Sequence, residues 1–297
     1  MAQQFKLPDG RNLDYSLTGA TDGFPLVWHH GTPSGYTAIP VLATACEKRR
    51  FRLITFSRSG YGGSSRQKGR QIVDAVGDVR ALLEHLGYQK CVVGGWSGGG
   101  PHALACAAKL ESCLGVISVA AVAPYDAEGL DWISGQGEDN IEESKAALEG
   151  EDALREFCEA RRPDMIKGTA AEITQMMESI LPEVDKRVLL ESREFGKYME
   201  TTTREGLKSS SDGWIDDDLA FIKPWGFEMT DIQCPVSLYQ GSEDLMVPYD
   251  HGKWLGSHIP EHLLTKHLEG GEGHISIFEG NIEGMLDEMR RAIDSRS

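Results

Sequence analysis

A chain of 297 residues, 40% of them apolar, can bury a sizeable core as one large domain or two small ones. Its 30 basic and 46 acidic residues give a formal charge of −16. No basic run is present to neutralise phosphates or dock on anionic lipid, which argues against nucleic acid and membrane surfaces as partners. The start, MAQQFKLPDG, has neither a basic n-region nor an apolar h-region, and the longest apolar run, near Leu114 to Pro124, is too short to span a bilayer. A soluble cytoplasmic protein is expected. The six cysteines (Cys46, Cys91, Cys106, Cys113, Cys158, Cys234) form no C-x-x-C pair and several sit in apolar runs, so they read as reduced, packed thiols. The nine histidines suggest no metal-ligand cluster.

In chain order, FKLPDGRNLDYSLTG reads as two strands around Asp9-Gly10, a dipeptide suited to a tight hairpin. From residue 25 the pattern changes. PLVWHHG, FRLITFSR, KCVVGGWS and LGVISVAAVAP are continuous apolar runs of the kind buried on both faces of a parallel sheet. Between the second and third, Ile72, Val76, Val79, Leu83 and Leu86 recur every three or four residues, with Gly87 as the C-cap. Alternating strands and helices of this kind predict an α/β fold with a mostly parallel sheet.

The alternation stops near Pro124 and resumes only at CPVSLYQGSED. NIEESKAALEG, EDALREFCEARR and AEITQMMESIL, with Pro182 placed to open a further helix, predict an inserted helical cap over residues 126–230. The core is then assigned to 1–125 and 231–297. HLLTKHLEG supplies a last strand, and Ile282, Met285, Leu286, Met289 and Ile293 mark a closing helix.

Within this scaffold GGWSGGGPHAL places Ser97 between a buried strand and a helix. A nucleophile on so sharp a turn needs tiny neighbours two residues to either side, which Gly95 and Gly99 provide. The Gly98 N–H, near the helix start, is the first candidate oxyanion donor. The Thr32 N–H in the loop HHGTPSG is the second. His29 and His30 precede the glycine and are read as bracing rather than catalytic, with His30 also placed at the pocket edge. Serine needs a histidine base oriented by a carboxylate. Asp244, at the tip of QGSED, and His274, in GGEGH, follow Ser97 in the expected order Ser, acid, His, with Glu243 as the rival acid.

HHGTP, SRSGYGGSS, GGWSGGG, QGSEDLMVP and GEGH, in this order, resemble the α/β-hydrolase superfamily over residues 10–125 and 231–297. The resemblance implies Ser97 as nucleophile, Asp244 as acid, His274 as base, and an oxyanion hole from Gly98 and Thr32; chemistry by such a triad requires no cofactor. Where the family often has aspartate, this chain has Ser57 before Arg58 and Gly60, a departure that concerns a structural turn. The HGTP loop is also similar to the proline iminopeptidase branch, and DGWIDDDLAFIKPWGF resembles the cap-to-core return of other hydrolases of the superfamily.

Trp214 and Trp225, with Phe221 and Phe227, are candidates to line a pocket, although such spacing also suits a loop anchored to the core; Trp96 is placed beside the pocket. Asp216, Asp217 and Asp218 read as a solvated turn or helix cap rather than a metal site. The expected activity is serine hydrolysis of an ester or lactone of a small, partly apolar molecule through an acyl-enzyme on Ser97. A serine nucleophile argues against the dehalogenase and epoxide-hydrolase branches, while C–C bond hydrolysis stays open. The alternatives are an aminopeptidase acting on N-terminal proline, its cap carboxylates holding the substrate ammonium, and a slow-turnover ligand receptor on the same fold. Composition leaves the oligomeric state open.

Overall fold

The computed structural model describes residues 3–295. The hairpin expected around Asp9-Gly10 forms between β1 (Gln3–Lys6) and β2 (Asn12–Gly19), with Gly10 at φ +90° in its turn. The four apolar runs become β3 (Phe24–His29), β4 (Phe51–Phe56), β5 (Cys91–Trp96) and β6 (Cys113–Val119). Helices α1 (Pro40–Lys48), α2 (Ala75–Leu86) and α3 (Gly100–Lys109) connect them. Gly87 ends α2 at φ 78°, the left-handed C-cap its position predicts. Ile72 lies just before α2, in a single 3₁₀ turn.

Six helices follow β6: α4 (Glu138–Glu149), α5 (Glu151–Lys167), α6 (Ala170–Met176), α7 (Glu183–Glu191, with Pro182 at its N-cap), α8 (Arg193–Leu207) and α9 (Asp212–Phe221). The chain then returns to the sheet with β7 (Val236–Gly241), α10 (Tyr249–His258), β8 (Leu264–Glu269) and α11 (Ser276–Asp294). Although residues 120–235 separate β6 from β7, the two strands pair directly in parallel, Val119 opposite Tyr239. The six helices are therefore an excursion from a continuous sheet. They enclose a small core of their own, where Leu154, Cys158, Leu207, Trp214 and Ile215 pack together with Tyr61 from the sheet side.

The described residues form one eight-stranded sheet in the order β1-β2-β4-β3-β5-β6-β7-β8, with the β1–β2 and β2–β4 pairs antiparallel and the remaining pairs parallel. Period-two alternation divides its side chains between two cores. Val27, Ile54, Val93, Val116 and Leu238 face α2, α3 and α10, whereas Leu26, Leu53, Val92, Ile117 and Tyr239 face α1 and α11. All five residues predicted for the closing helix are buried in the second core. All six cysteines are buried as thiols, with no disulfide among the described residues. Within the same range no helix is long and apolar enough to cross a membrane.

Parallel pairing brings the carboxyl ends of β3, β5, β7 and β8 to one edge of the sheet, where ligands bind in open α/β folds. His29 pairs with Gly95, so the HHGT loop and Ser97 leave the sheet side by side.

Candidate active site

Ser97 adopts φ 58°, a left-handed conformation uncommon for any side chain but glycine. It opens a 3₁₀ turn that runs into α3. Two close approaches permit this turn. A Cβ on Gly95 would run into the Gly99 carbonyl and come within 3.0 Å of Gly100 N. A Cβ on Gly99 would meet the His30 carbonyl oxygen at 2.7 Å. Local strain held by surrounding contacts is a feature of functional positions, and here it aims one hydroxyl out of the sheet edge.

Beside Ser97, a Cβ on Gly98 would lie 2.9 Å from both Thr32 Cβ and Phe221 Cζ. Thr32 and Gly98, the two predicted oxyanion donors, therefore flank the same point, and Gly31 is close enough that its own Cβ would sit 3.5 Å from that of Ser97.

Asp244, in the turn after β7, is buried. Its Oδ1 accepts the N–H groups of Met246 and Val247, both at 2.9 Å, and its Oδ2 accepts Gln240 Nε2 at 3.0 Å and His274 Nδ1 at 2.8 Å. An ionised carboxylate can only accept, so the imidazole proton lies on Nδ1 and the Nε2 lone pair is left available. Glu243, the rival acid, is exposed and accepts from Ser242 Oγ instead. Burial pushes the His274 pKa down, but the Asp244 charge and hydrogen bond, helped by Asp185, outweigh it and raise the pKa above the ordinary 6.5. Ser97 Oγ and the His274 ring are not hydrogen-bonded to each other in this structure; such contacts often tighten only with substrate bound. Trp96 ties the two regions together, donating its Nε1–H to the His274 carbonyl at 3.0 Å with the two rings 5.4 Å apart.

Two carboxylates that sequence reasoning missed come from the inserted helices. Asp217 does not belong to a solvated turn: Asp216, Asp217 and Asp218 lie inside α9 and all three are buried. Arg58 and Arg70 are buried beside them and need a counter-charge. Arg58 Nη2 and Arg70 Nη2 each donate to Asp217 at 2.6 Å, Tyr61 Oη at 2.8 Å and Thr32 Oγ1 at 2.7 Å. Burial alone would raise the Asp217 pKa; the two guanidinium groups reverse that and hold it well below the ordinary carboxylate range. Arg58 also donates to the carbonyls of His30 and Gly31. The loop carrying Thr32 is thus fixed by a buried ion pair. The second missed carboxylate, Asp185 of α7, accepts the main-chain N–H groups of His274, Ile275 and Ser276. Three acidic letters in a row resemble surface, and nothing in a sequence marks which arginines are buried.

A cavity of about 430 Å³ opens above Ser97, Gly98 and Thr32. Its walls are mainly apolar and come largely from the insertion, including Phe157, Met165, Ile173, Trp214, Phe221 and Ile222. Trp214 and Phe221 are among its lining residues. His30, Trp96 and Trp225 are not. His30 is buried beneath the loop, its Nε2 accepting Arg58 N–H at 3.1 Å and its Nδ1 donating to the Gly31 carbonyl. Trp96 is stacked on Phe278, and Trp225 donates to the Phe221 carbonyl within the first sheet core beside Phe227. Each of the three buries its ring against sheet or helix, leaving no face for the cavity. Two lining carboxyls, Glu143 and Asp218, interact in the wall. Burial pushes both above the ordinary range, and the Glu143 charge pushes Asp218 further. Among the described residues no cluster of His, Cys, Asp and Glu is arranged to hold a metal ion.

Comparison with known proteins agrees with this architecture. A family model described as alpha/beta hydrolase fold matches residues 25–140. The AB hydrolase superfamily protein YisY of Bacillus subtilis (strain 168) is 24% identical over 257 residues, 84% of this chain and 85% of that protein. A proline iminopeptidase of Arabidopsis thaliana is 33% identical over 103 residues, covering 34% of this chain and 27% of its own. Among solved structures, a thermophilic esterase from Thermogutta terrifontis superposes with a TM-score of 0.63 at 20% identity, covering 100% of this chain and 97% of its own. The matched segment runs from β3 to the start of the insertion and the solved structure superposes along the full length, so this chain has the α/β-hydrolase fold.

Proposed function

We propose that the protein is a serine hydrolase that cleaves an ester or lactone of a small, partly apolar molecule, with Ser97, His274 and Asp244 as its catalytic triad. The observation that carries this reading is the 2.8 Å Asp244–His274 hydrogen bond at strand ends beside a strained serine that faces an apolar cavity. His274 Nε2 takes the Ser97 Oγ proton as Oγ attacks the substrate carbonyl. The N–H groups of Gly98 and Thr32 receive the developing oxyanion. His274, now cationic and held by Asp244, hands the proton to the leaving alkoxide as the C–O bond breaks. Water, deprotonated by the same imidazole, then releases the acid and regenerates Ser97. The residues supply every proton transfer, so the mechanism calls for no cofactor. The cavity volume falls in the range of small-molecule pockets, roughly 300–1,000 Å³, and its apolar walls suit an acyl or alcohol group of modest size.

A second reading, an aminopeptidase, draws on Glu143 and Asp218 in the cavity wall and on the local similarity to a proline iminopeptidase. Hydrolysis of p-nitrophenyl butyrate beside proline p-nitroanilide separates the two. The ester is expected to be the better substrate by kcat/KM, and preference for the anilide would replace the first reading with the second. The buried thiols support a reducing, cytoplasmic location.

A further inference from the structure

We propose that Asp185 is a positioning residue for His274, holding the main chain that carries the base and so tying the catalytic machinery to the inserted helices. The proposal rests on the reading of His274 as the base. Asp185 lies in the first turn of α7, fully buried. Its Oδ2 accepts His274 N–H at 2.8 Å, and its Oδ1 accepts Ile275 N–H at 3.0 Å and Ser276 N–H at 2.9 Å.

These three groups sit at the N-terminus of α11, where helical N–H groups have no partner within the helix and where negative charge is favoured. Ile275, at the N-cap, has no side chain that can satisfy them, so a residue remote in sequence does so. The fit is close: a Cβ on Gly273 would lie 2.6 Å from the Asp185 carboxyl carbon. The residue before His274 thus accommodates this carboxylate only by lacking a side chain. Ser276 Oγ accepts Gly273 N–H at 2.8 Å, completing a rigid turn around the base.

A neutral oxygen would satisfy part of this geometry, yet the chain buries a carboxylate here with no lysine or arginine paired to it by a hydrogen bond or ion pair among the described residues. Burial raises the Asp185 pKa above the ordinary carboxylate value, and the Ser276 N–H and a positive His274 offset only part of that rise. The favourable link with charged His274 gives the carboxylate a role beyond shape, since the imidazolium forms transiently in both halves of the proposed reaction. The titratable groups that bear on His274 are Asp244 from the β7 turn and Asp185 from α7, and His251 of α10 bears on Asp244 in turn. Asp185 therefore acts on the base through its main chain, whereas Asp244 holds its ring.

The test compares D185N and D185E with the unmodified protein and with H274A, using p-nitrophenyl butyrate across pH. D185N keeps the shape and loses the charge. It is expected to lower kcat on the order of 10- to 100-fold with KM changed less than about twofold, because the loop carrying the base loses its fixed position. The acid limb of kcat/KM is expected to move to lower pH. D185E keeps the charge and displaces the loop, so its kcat falls while its acid limb stays near that of the unmodified protein. Folded D185N with unchanged kcat and an unchanged acid limb, beside an inactive H274A, would overturn the proposal and leave the triad standing. An active H274A would instead remove the reading on which the proposal rests. If D185N does not fold, D185S, smaller and still an acceptor, is read in the same way. Failure of both to fold, or a lowered Tm with the acid limb unmoved, would make Asp185 a structural residue only and also overturn it.

Discussion

At the scale of single residues, the site depends on a few contacts a sequence can state and several it cannot. Gly95 and Gly99 are legible because the chemistry of a sharp nucleophile turn demands glycine there, and both meet main-chain atoms where a Cβ would go. Asp244 is preferred over Glu243 in the sequence as the tip of QGSED, and in space one carboxylate is buried against His274 while the other is exposed. H274A or D244N is expected to reduce kcat by several orders of magnitude, as when triad members act as a unit. Steady-state rates on p-nitrophenyl butyrate, with near-normal turnover as the contrary result, check this. The His274 pKa also sets a sign. A base must be neutral to accept the Ser97 proton, and its pKa is raised above 6.5. The acid limb of kcat/KM should accordingly lie above pH 6.5, and a limb below it would contradict the electrostatic account.

At the scale of elements, periodicity predicted α2 and α11 well because each buries one stripe against the sheet, and β3 to β6 because strands covered on both faces read as unbroken apolar runs. Met289→Ala in α11, fully buried against β6, should cost about 2–5 kcal/mol in urea unfolding. Helix α9 was less legible. Its three aspartates suggested solvent, whereas Asp217 is the hub of a buried cluster whose partners, Arg58, Tyr61 and Arg70, lie about 150 residues earlier in the chain. Pattern within a segment carries no information about such a pairing. Asp217→Asn leaves two guanidinium groups without their counter-charge, and breaking a buried pair costs about 3–5 kcal/mol. The same substitution loosens the loop that carries Thr32, so a fall in Tm should be accompanied by lower kcat. A full-length protein with unchanged Tm would show that the cluster does not stabilise the fold.

At the scale of the whole molecule, the sheet and its carboxyl edge could be anticipated from alternating elements, and so could an excursion between β6 and β7. The way the excursion meets the site could not. Its helices supply most of the cavity wall, a carboxylate beneath the Thr32 loop and another beneath the His274 loop. Side chains that looked available for a pocket, Trp96 and Trp225, are instead consumed in packing. Phe221 stands at the junction, lining the cavity and reaching towards Gly98. Phe221→Ala should enlarge the acyl site and raise the kcat/KM ratio of p-nitrophenyl octanoate to butyrate severalfold; an unchanged ratio would place the acyl chain elsewhere.

The central claim is that Ser97 is a nucleophile activated for acyl transfer, and a fluorophosphonate probe addresses it without knowledge of the natural substrate. Intact-mass measurement should show one adduct on the unmodified protein, located to the peptide containing Ser97 and lost in S97A. Labelling that persists in S97A, or a folded protein that takes up no probe, would contradict it.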